Sequence, residues 1–285
     1  MTVVTHTRSE LAAERKRLDA TAGPVAVVMT MGALHAGHAE LIRTAQERAA
    51  SVIVTVFLNP LQFAPGEDLA KYPKTLPSDV ALCRQAGVDV VFAPSPDVVY
   101  PQGEPLVRVS AGDVGDLLEG ETRPGHFDGV LTVVAKLLHL TRPDLAYFGQ
   151  KDAQQLWLIA QMTSDLDLPV EVVPVPTVRD ADGLALSSRN TYLSEMDRRA
   201  ALALPRALAA GQEAEVRGAE EVLAAGHEVL AAEPAVRLDY LELVDPRTFG
   251  PVAGGDALLV VAAFVGSTRL IDNQAVRLPA VAGGE

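Results

Sequence analysis

Three short stretches of this 285-residue chain carry residue types suited to handling phosphate. The first is MTMGALHAGH at 29–38. Gly32 permits a tight turn, and Gly37 would let the backbone come close to an anion. If a helix opens there, its first N–H groups lack partners and its dipole places roughly half a positive charge at that end. His35 and His38 are three residues apart, so one helical turn sets both imidazoles toward the same point, where they could steady charge on a phosphate in transit. The alternatives are a pair of helix-capping histidines or half of a metal site. A metal site would want an HExxH pattern or cysteines nearby, and neither is present.

The second stretch is YFGQKD at 147–152, where Lys151 offers a point charge for phosphate and Asp152 an acceptor for ribose hydroxyls or a helix cap. The third is LALSSRN at 184–190, two hydroxyls beside a guanidinium that forks onto phosphate oxygens. A solvated Lys–Asp pair and a polar loop are the plainer readings of each alone. The spacing matches neither a Walker loop nor GxGxxG, which disfavours NAD.

The elements that must carry these stretches alternate. Apolar runs at 25–31, 51–58, 88–93, 145–148 and 170–173 read as buried strands, and 38–50, 78–86, 127–140 and 153–163 follow helical periods. The 127–140 segment is apolar around most of its circumference, as a deeply buried helix would be. This alternation predicts an α/β fold, a Rossmann-like parallel sheet with the chemical motifs at the strand ends. After Pro176 the pattern changes: a hairpin turning at 180–183, helices at 195–212 and 219–232, and strands at 236–244, 257–265 and 268–273. We therefore expect domains at 1–177 and 178–285, the second a smaller C-terminal α+β domain that closes over the site. The tail, 280–285, is expected to fray.

Composition narrows the function. The net charge of −13 comes with no basic stripe, which excludes a protein that tracks a nucleic-acid backbone but not one that binds a single nucleotide. No eighteen apolar residues run together, so no membrane span is expected. The polar stretch 1–19 does not read as a secretory signal. Cys83 is the only cysteine, which fits a cytoplasmic protein without disulfides. His6, His139, His227, Cys83 and Trp157 read as surface or packing residues, and His126 has no evident role.

Six ordered segments resemble one family. They are MGALHAGH at 31–38, FLNPLQF at 57–63, DLAKYPKT at 68–75, RPGHFDGVLTVV at 123–134, FGQKDAQQL at 148–156 and DGLALSSRN at 182–190. HxGH followed by a Ser-Ser-Arg loop is similar to the HIGH-motif nucleotidyltransferases, and more narrowly to the pantoate–β-alanine ligases. LDYLEL and TRLIDN fit the family's C-terminal strands.

The resemblance implies ATP-dependent condensation of (R)-pantoate with β-alanine through a pantoyl adenylate, with Mg²⁺, in a homodimer. It implies that Met31, Gly32, His35 and His38 line the ATP site, with His38 at the reacting phosphate. Gly149, Lys151 and Asp152 would hold ribose and phosphate, and Val178 and Leu186 would lie by the nucleotide. Ser187, Ser188 and Arg189 would clasp the phosphates, while Gln62 and Gln155 would bond pantoate, Gln62 also bordering β-alanine. His38, His35, Lys151, Ser187, Ser188 and Arg189 form the expected catalytic set. Arg123 and Tyr72 are weaker candidates on loops.

The family often carries Glu, an aromatic and an acid where this chain has Gln150, Ala153 and Ser78. Asp79 is then the one side chain expected at the metal. Rival readings are an adenylyl- or cytidylyltransferase, an aminoacyl-tRNA synthetase and a nucleotide sensor. The first wants more basic residues, the second a tRNA-binding segment, and the third no second-substrate groups such as Gln62 and Gln155.

Overall fold

Valine-rich runs stack side by side because β-branched side chains pack well on a pleated surface buried from both faces. A computed structural model of the chain describes residues 1–63, 69 and 72–280. The 281–285 part of the tail lies outside these residues. The strands β1 (Val3–Thr5), β2 (Val25–Thr30), β3 (Ser51–Val56), β4 (Val90–Phe92), β5 (Leu145–Gly149) and β6 (Glu171–Val175) form one sheet. Their order is β1-β4-β3-β2-β5-β6, and every pair is parallel. Helices α1 (Arg8–Asp19), α2 (Ala36–Arg48), α3 (Leu76–Gln85), α4 (Pro96–Val99), α5 (Glu119–Thr122), α6 (His126–Thr141) and α7 (Ala153–Asp165) alternate with them.

Alternate strand residues bury against opposite layers. Val27, Ile53, Phe92 and Ala146 meet the apolar residues of α1, α6 and α7, whereas Val28, Val54, Val91 and Tyr147 meet those of α2 and α3. The chain order reverses between β2 and β5, which pair directly with Val28 beside Tyr147. Ligands of open α/β sheets collect at the carboxyl ends of strands at such a reversal.

By its packing the chain divides into two compact units, 1–150 with 154–176, and 151–153 with 177–285. In the second, helices α8 (Glu195–Ala201), α9 (Ala203–Glu213) and α10 (Ala219–Ala231) accompany strands β7 (Val236–Val244), β8 (Gly255–Val265) and β9 (Thr268–Leu278). The three strands form an antiparallel sheet in sequence order. Leu204 and Leu208 of α9 and Val222 and Leu230 of α10 bury with Leu241, Leu259 and Val261 of that sheet. The turn at 180–183 is a hairpin, closed by Gly183 N–H to the Asp180 carbonyl at 2.9 Å and by Arg179 paired with Ala185.

Several elements depart from the sequence reading. β1 and α1 occupy the stretch read as polar. Their signal was a capping box, in which Thr7 accepts from Glu10 N–H and Glu10 reaches back to the Thr7 N–H. The helical segment expected at 195–212 is two helices, because Pro205 has no N–H to continue the ladder and sits in the first turn of a new helix instead. α2 begins at Ala36 with His35 as its cap, two residues earlier than expected. β9 runs on to Leu278, carried by eleven cross-strand pairs with β8.

Candidate active site

The loop from β2 into α2 has its shape set by backbone donors finding buried acceptors. Gly32 has φ of 93°, and a Cβ there would stand 3.2 Å from an Asp79 carboxylate oxygen, so glycine is required both for conformation and for space. Ala33 follows with φ of 52°, an uncommon conformation for a residue with a side chain. It is held there by Asp79, which accepts from Ala33 N–H at 3.2 Å and Leu34 N–H at 2.9 Å. Thr75 Oγ1 donates to the same carboxylate at 3.1 Å. Asp79 is only 2% exposed.

Both of its oxygens thus already serve the loop. A carboxylate engaged this way is a staple, so a metal at Asp79 would have to share the carboxylate with these donors. Among the described residues, no group of three or more His, Cys, Asp or Glu side chains is arranged to hold a metal ion. Ser78, exposed, turns back to the Thr75 carbonyl at 2.8 Å.

The two histidines cap α2 reciprocally. His35 Nδ1 accepts from Gly37 N–H at 3.1 Å, and His38 Nδ1 accepts from His35 N–H at 3.2 Å. A nitrogen that accepts carries no proton, so in each neutral ring the proton sits on Nε2. Their centroids lie 4.2 Å apart. This changes one expectation: Gly37 N–H is committed to His35 rather than left for an anion. Phosphate donors this loop can offer include the imidazole Nε2–H groups, with the helix dipole behind them.

From β3 the chain enters a short 3-10 turn, Pro60–Gln62, which positions Gln62. Asn59, 1% exposed, organises it. Its Nδ2 donates to Gln62 Oε1 and to the Gly129 carbonyl, both at 3.1 Å, and its Oδ1 accepts from Leu61 N–H and from Tyr100 OH, the latter at 2.8 Å. Gln62 Nε2 donates to Met31 Sδ at 3.0 Å, so its amide orientation is set from both ends. The Gln62 carbonyl accepts from His126 Nδ1 at 2.8 Å and Arg123 Nη2 at 3.2 Å, while Arg123 Nη1 lies 3.0 Å from His126 Nε2. His126 therefore carries its proton on Nδ1 and accepts on Nε2.

A cleft of about 690 Å³ borders Gln62, Tyr100, Arg108 and His126. Asn59, Tyr100, His126 and Gly129 are the site-forming residues that sequence reasoning missed. The available signal was Asn-Pro, which announces a turn whose Asx side chain bonds two residues ahead. Tyr72 is 6% exposed and meets Phe63 edge to face. Of the segment at 68–75, positions 68, 70 and 71 lie outside the described residues.

At the end of β5, nothing among the described residues lies within 4 Å of where a Gly149 side chain would stand. Gly149 also adopts no left-handed φ. Neither packing nor backbone therefore explains this glycine, which leaves room for a ligand. The adjacent glutamines of α7 differ in task. Gln154, 5% exposed, donates to the Val114 and Leu117 carbonyls at 2.8 and 2.9 Å and accepts from Glu119 N–H. Gln155 is half-buried and its side chain makes no hydrogen bond to a described residue, so its amide keeps its capacity.

In the second unit, Lys151 is half-buried and Asp152 exposed. Leu186 N–H pairs with the Val178 carbonyl at 2.9 Å, carrying the hairpin up to Ser187. Ser187 Oγ then accepts from Arg189 N–H at 3.2 Å and caps the 3-10 helix Ser188–Tyr192, which projects Ser188 and Arg189.

A model of the family described as "Pantoate-beta-alanine ligase" matches residues 3–275. The chain belongs to this family. It is 57% identical over 281 residues to the pantothenate synthetase of Salinispora arenicola, covering 98% of this chain and 99% of that one. It is 59% identical to pantothenate synthetase 4 of Frankia alni over 89% of this chain and 83% of the relative. Among solved structures, the pantothenate synthetase of Thermus thermophilus superimposes with a TM-score of 0.90 at 48% identity, covering 96% of this chain and 99% of that chain. A pantoate–β-alanine ligase from Francisella tularensis, complexed with beta-gamma ATP and β-alanine, gives 0.81 at 33% identity over 96% and 97%. The six-stranded parallel sheet and small antiparallel sheet are thus the fold of pantothenate synthetases.

Two outcomes follow from this packing. A Cβ on Gly129 would stand 2.2 Å from the Leu61 carbonyl oxygen, so Gly129→Ala is expected to cost about 1–3 kcal/mol of stability, read from the urea midpoint. An unchanged midpoint would mean that the 60–62 turn yields freely. Cys83, 0% exposed, has its thiol pushed up to about 12 by burial and, secondarily, by the Asp79 carboxylate one turn away. A raised thiol value leaves almost no thiolate at pH 8. The folded protein should resist a maleimide there while the urea-unfolded chain reacts to completion, and equal rates would refute the burial.

Proposed function

We infer that this chain catalyses the ATP-dependent condensation of pantoate with β-alanine. The observation that carries the reading is membership of the ligase family over residues 3–275, together with a pre-set constellation at the strand ends of the β2/β5 reversal. Pantoate's carboxylate attacks the α-phosphorus of ATP, forming the acyl–phosphate bond and releasing pyrophosphate. The amine of β-alanine then attacks the acyl carbon, forms the amide and expels AMP. A bare carboxylate is a poor acyl donor, and esterification to AMP supplies the leaving group. The chain's task is therefore orientation, charge stabilisation and exclusion of water from the adenylate.

In this reading His35 and His38 donate through Nε2–H to the triphosphate, His38 at the reacting phosphate, while Met31 and Gly32 border the nucleotide. Gly149 gives ribose room to approach, Asp152 accepts from its hydroxyls, and Lys151 neutralises phosphate charge. Val178 and Leu186 flank the nucleotide, and Ser187, Ser188 and Arg189 clasp its phosphates as the 187–189 loop closes on it. Gln62, with its amide already oriented, and Gln155, with its amide unspent, bond the hydroxy acid.

Mg²⁺ enters with the triphosphate, held mostly by phosphate oxygens and water, since Asp79 is already engaged in holding the 33–34 loop. The family also implies a homodimer. The exposed apolar pair Leu106 and Val107 is surface that a second copy would cover. Its compartment would be the cytoplasm, where ATP is held. Among the described residues no helix is long and apolar enough to cross a membrane.

Product analysis with Mg-ATP, pantoate and β-alanine, omitting each acid in turn, tests the reaction. We expect pantothenate, AMP and pyrophosphate when both acids are present, and pyrophosphate in a burst with pantoate alone. ATP left intact by folded protein in every mixture would end the ligase reading. Lys151→Ala should lower turnover roughly 10²–10³-fold, the scale of removing one preorganised charge-stabilising donor. Turnover near that of the unsubstituted enzyme would remove Lys151 from the assignment.

A further inference from the structure

The strand motif TRLIDN at 268–273 has no part in the chemistry above, yet its last two residues hold both phosphate-directed segments of the second unit. Asp272 is 4% exposed on β9, a strand fixed in register by its pairing with β8. It accepts a two-pronged bond from Arg179, Nη1 to Oδ2 at 2.6 Å and Nη2 to Oδ1 at 3.0 Å. The same guanidinium donates to the Gly183 carbonyl at 3.2 Å, so it spans the hairpin from its first strand to its turn. Asn273 N–H donates to Asp272 Oδ1 at 2.8 Å. Its side-chain Nδ2 donates to the Lys151 carbonyl at 2.9 Å. Lys151, Ser187 and Asp272 line one cavity of about 10 Å³, so the three converge.

Buried charge is kept ionised only where its partners are matched in geometry. A forked guanidinium–carboxylate pair has that geometry, and with it directional stiffness. The neighbouring amide fixes a main-chain carbonyl, which limits the arc through which the Lys151 side chain can start. A pair of adjacent residues on one rigid strand therefore sets the base of the 184–189 segment and the backbone of Lys151 together.

We propose that Asp272 and Asn273 are positioning residues for adenylate formation, holding the Lys151 backbone and the 179–189 hairpin as one pre-set piece. Neither touches the reacting atoms; each acts through another residue, Asn273 through Lys151 and Asp272 through Arg179. The inference rests on the ligase reading.

The test measures pyrophosphate release with Mg-ATP and pantoate in four enzymes: unsubstituted, Asn273→Ala, Asn273→Asp and Lys151→Ala. A fifth, Asn273→Ala with Lys151→Ala, closes the cycle. Asn273→Asp keeps the side chain's shape and loses the N–H, so it separates filling from donation. We expect both Asn273 variants to lower the rate constant of this burst about 10- to 100-fold, the scale of misplacing a charge-stabilising group without removing it. We expect the double variant to be no slower than Lys151→Ala alone, because a residue that acts through Lys151 has nothing left to position.

Losses that multiply in the double variant, or an Asn273→Asp rate within twofold of the unsubstituted enzyme, would overturn the proposal. Should the Asn273 variants unfold, Arg179→Lys reads the other arm. It keeps the charge and loses the fork, and we expect a comparable fall in the burst rate constant with a melting point near that of the parent; an unchanged rate constant would overturn the proposal there as well. Indifferent variants of an enzyme that makes pantothenate would sink this inference alone, whereas an unsubstituted chain that releases no pyrophosphate would take the ligase reading with it.

Discussion

The parallel pairing of β2 with β5 is the constraint on which the first unit's chemistry depends. Both strands are buried on both faces, so their polar ends emerge only at the edge of the sheet. The order reverses between them, so the helices that follow leave on opposite faces and a crevice opens at their carboxyl ends. One end delivers the histidine loop and the other delivers Gly149. β3, on the far side of β2, delivers the Gln62 turn to the same edge. Three loops far apart in sequence are neighbours because three hydrogen-bonded strands are.

A sheet edge sets position to within a residue or two, and catalysis needs closer control. Buried polar groups supply it. Asp79 fixes the Ala33–Leu34 backbone, Asn59 and His126 fix Gln62, and Gln154 fixes the 114–119 loop. A buried polar atom left without its partner costs about 1–3 kcal/mol, so each group holds its loop to the one geometry that satisfies it. The same logic reaches the imidazoles. Each Nδ1 accepts a backbone N–H, which fixes the tautomer and aims the protonated Nε2 without help from the ligand.

The elements that could be read from residues alone were those whose buried face is apolar, such as β2, β3 and α6. α1 was hidden because one of its three buried positions is an arginine. Arg15, 6% exposed between Leu11 and Leu18, donates to the Thr141 and Arg142 carbonyls at the end of α6. Residue type gives no hint that a guanidinium will serve as a helix C-cap from another element. The site shows the same division. The family resemblance named His35, His38, Gln62 and Lys151, residues whose types suit contact with a substrate. It passed over Asn59 and His126 and over the part Asp79 plays in holding its loop, because a staple and a ligand are the same residue type and differ only in which protons face them.

An overall charge of −13 sits oddly with a triphosphate until the accounting is made locally. Much of the acidity is committed. Asp79 faces backbone N–H groups, Asp272 faces Arg179, and Asp180 and Asp182 share Arg198. A carboxylate that faces N–H donors or a guanidinium has its field largely cancelled beyond a few ångströms, and salt screens most of what remains. At the strand ends of the first unit the groups offered to a ligand are of the opposite kind: imidazole and amide N–H donors. Short-range donors fixed in orientation therefore decide what binds, and the charge spread over the remaining surface acts on solubility rather than on recognition.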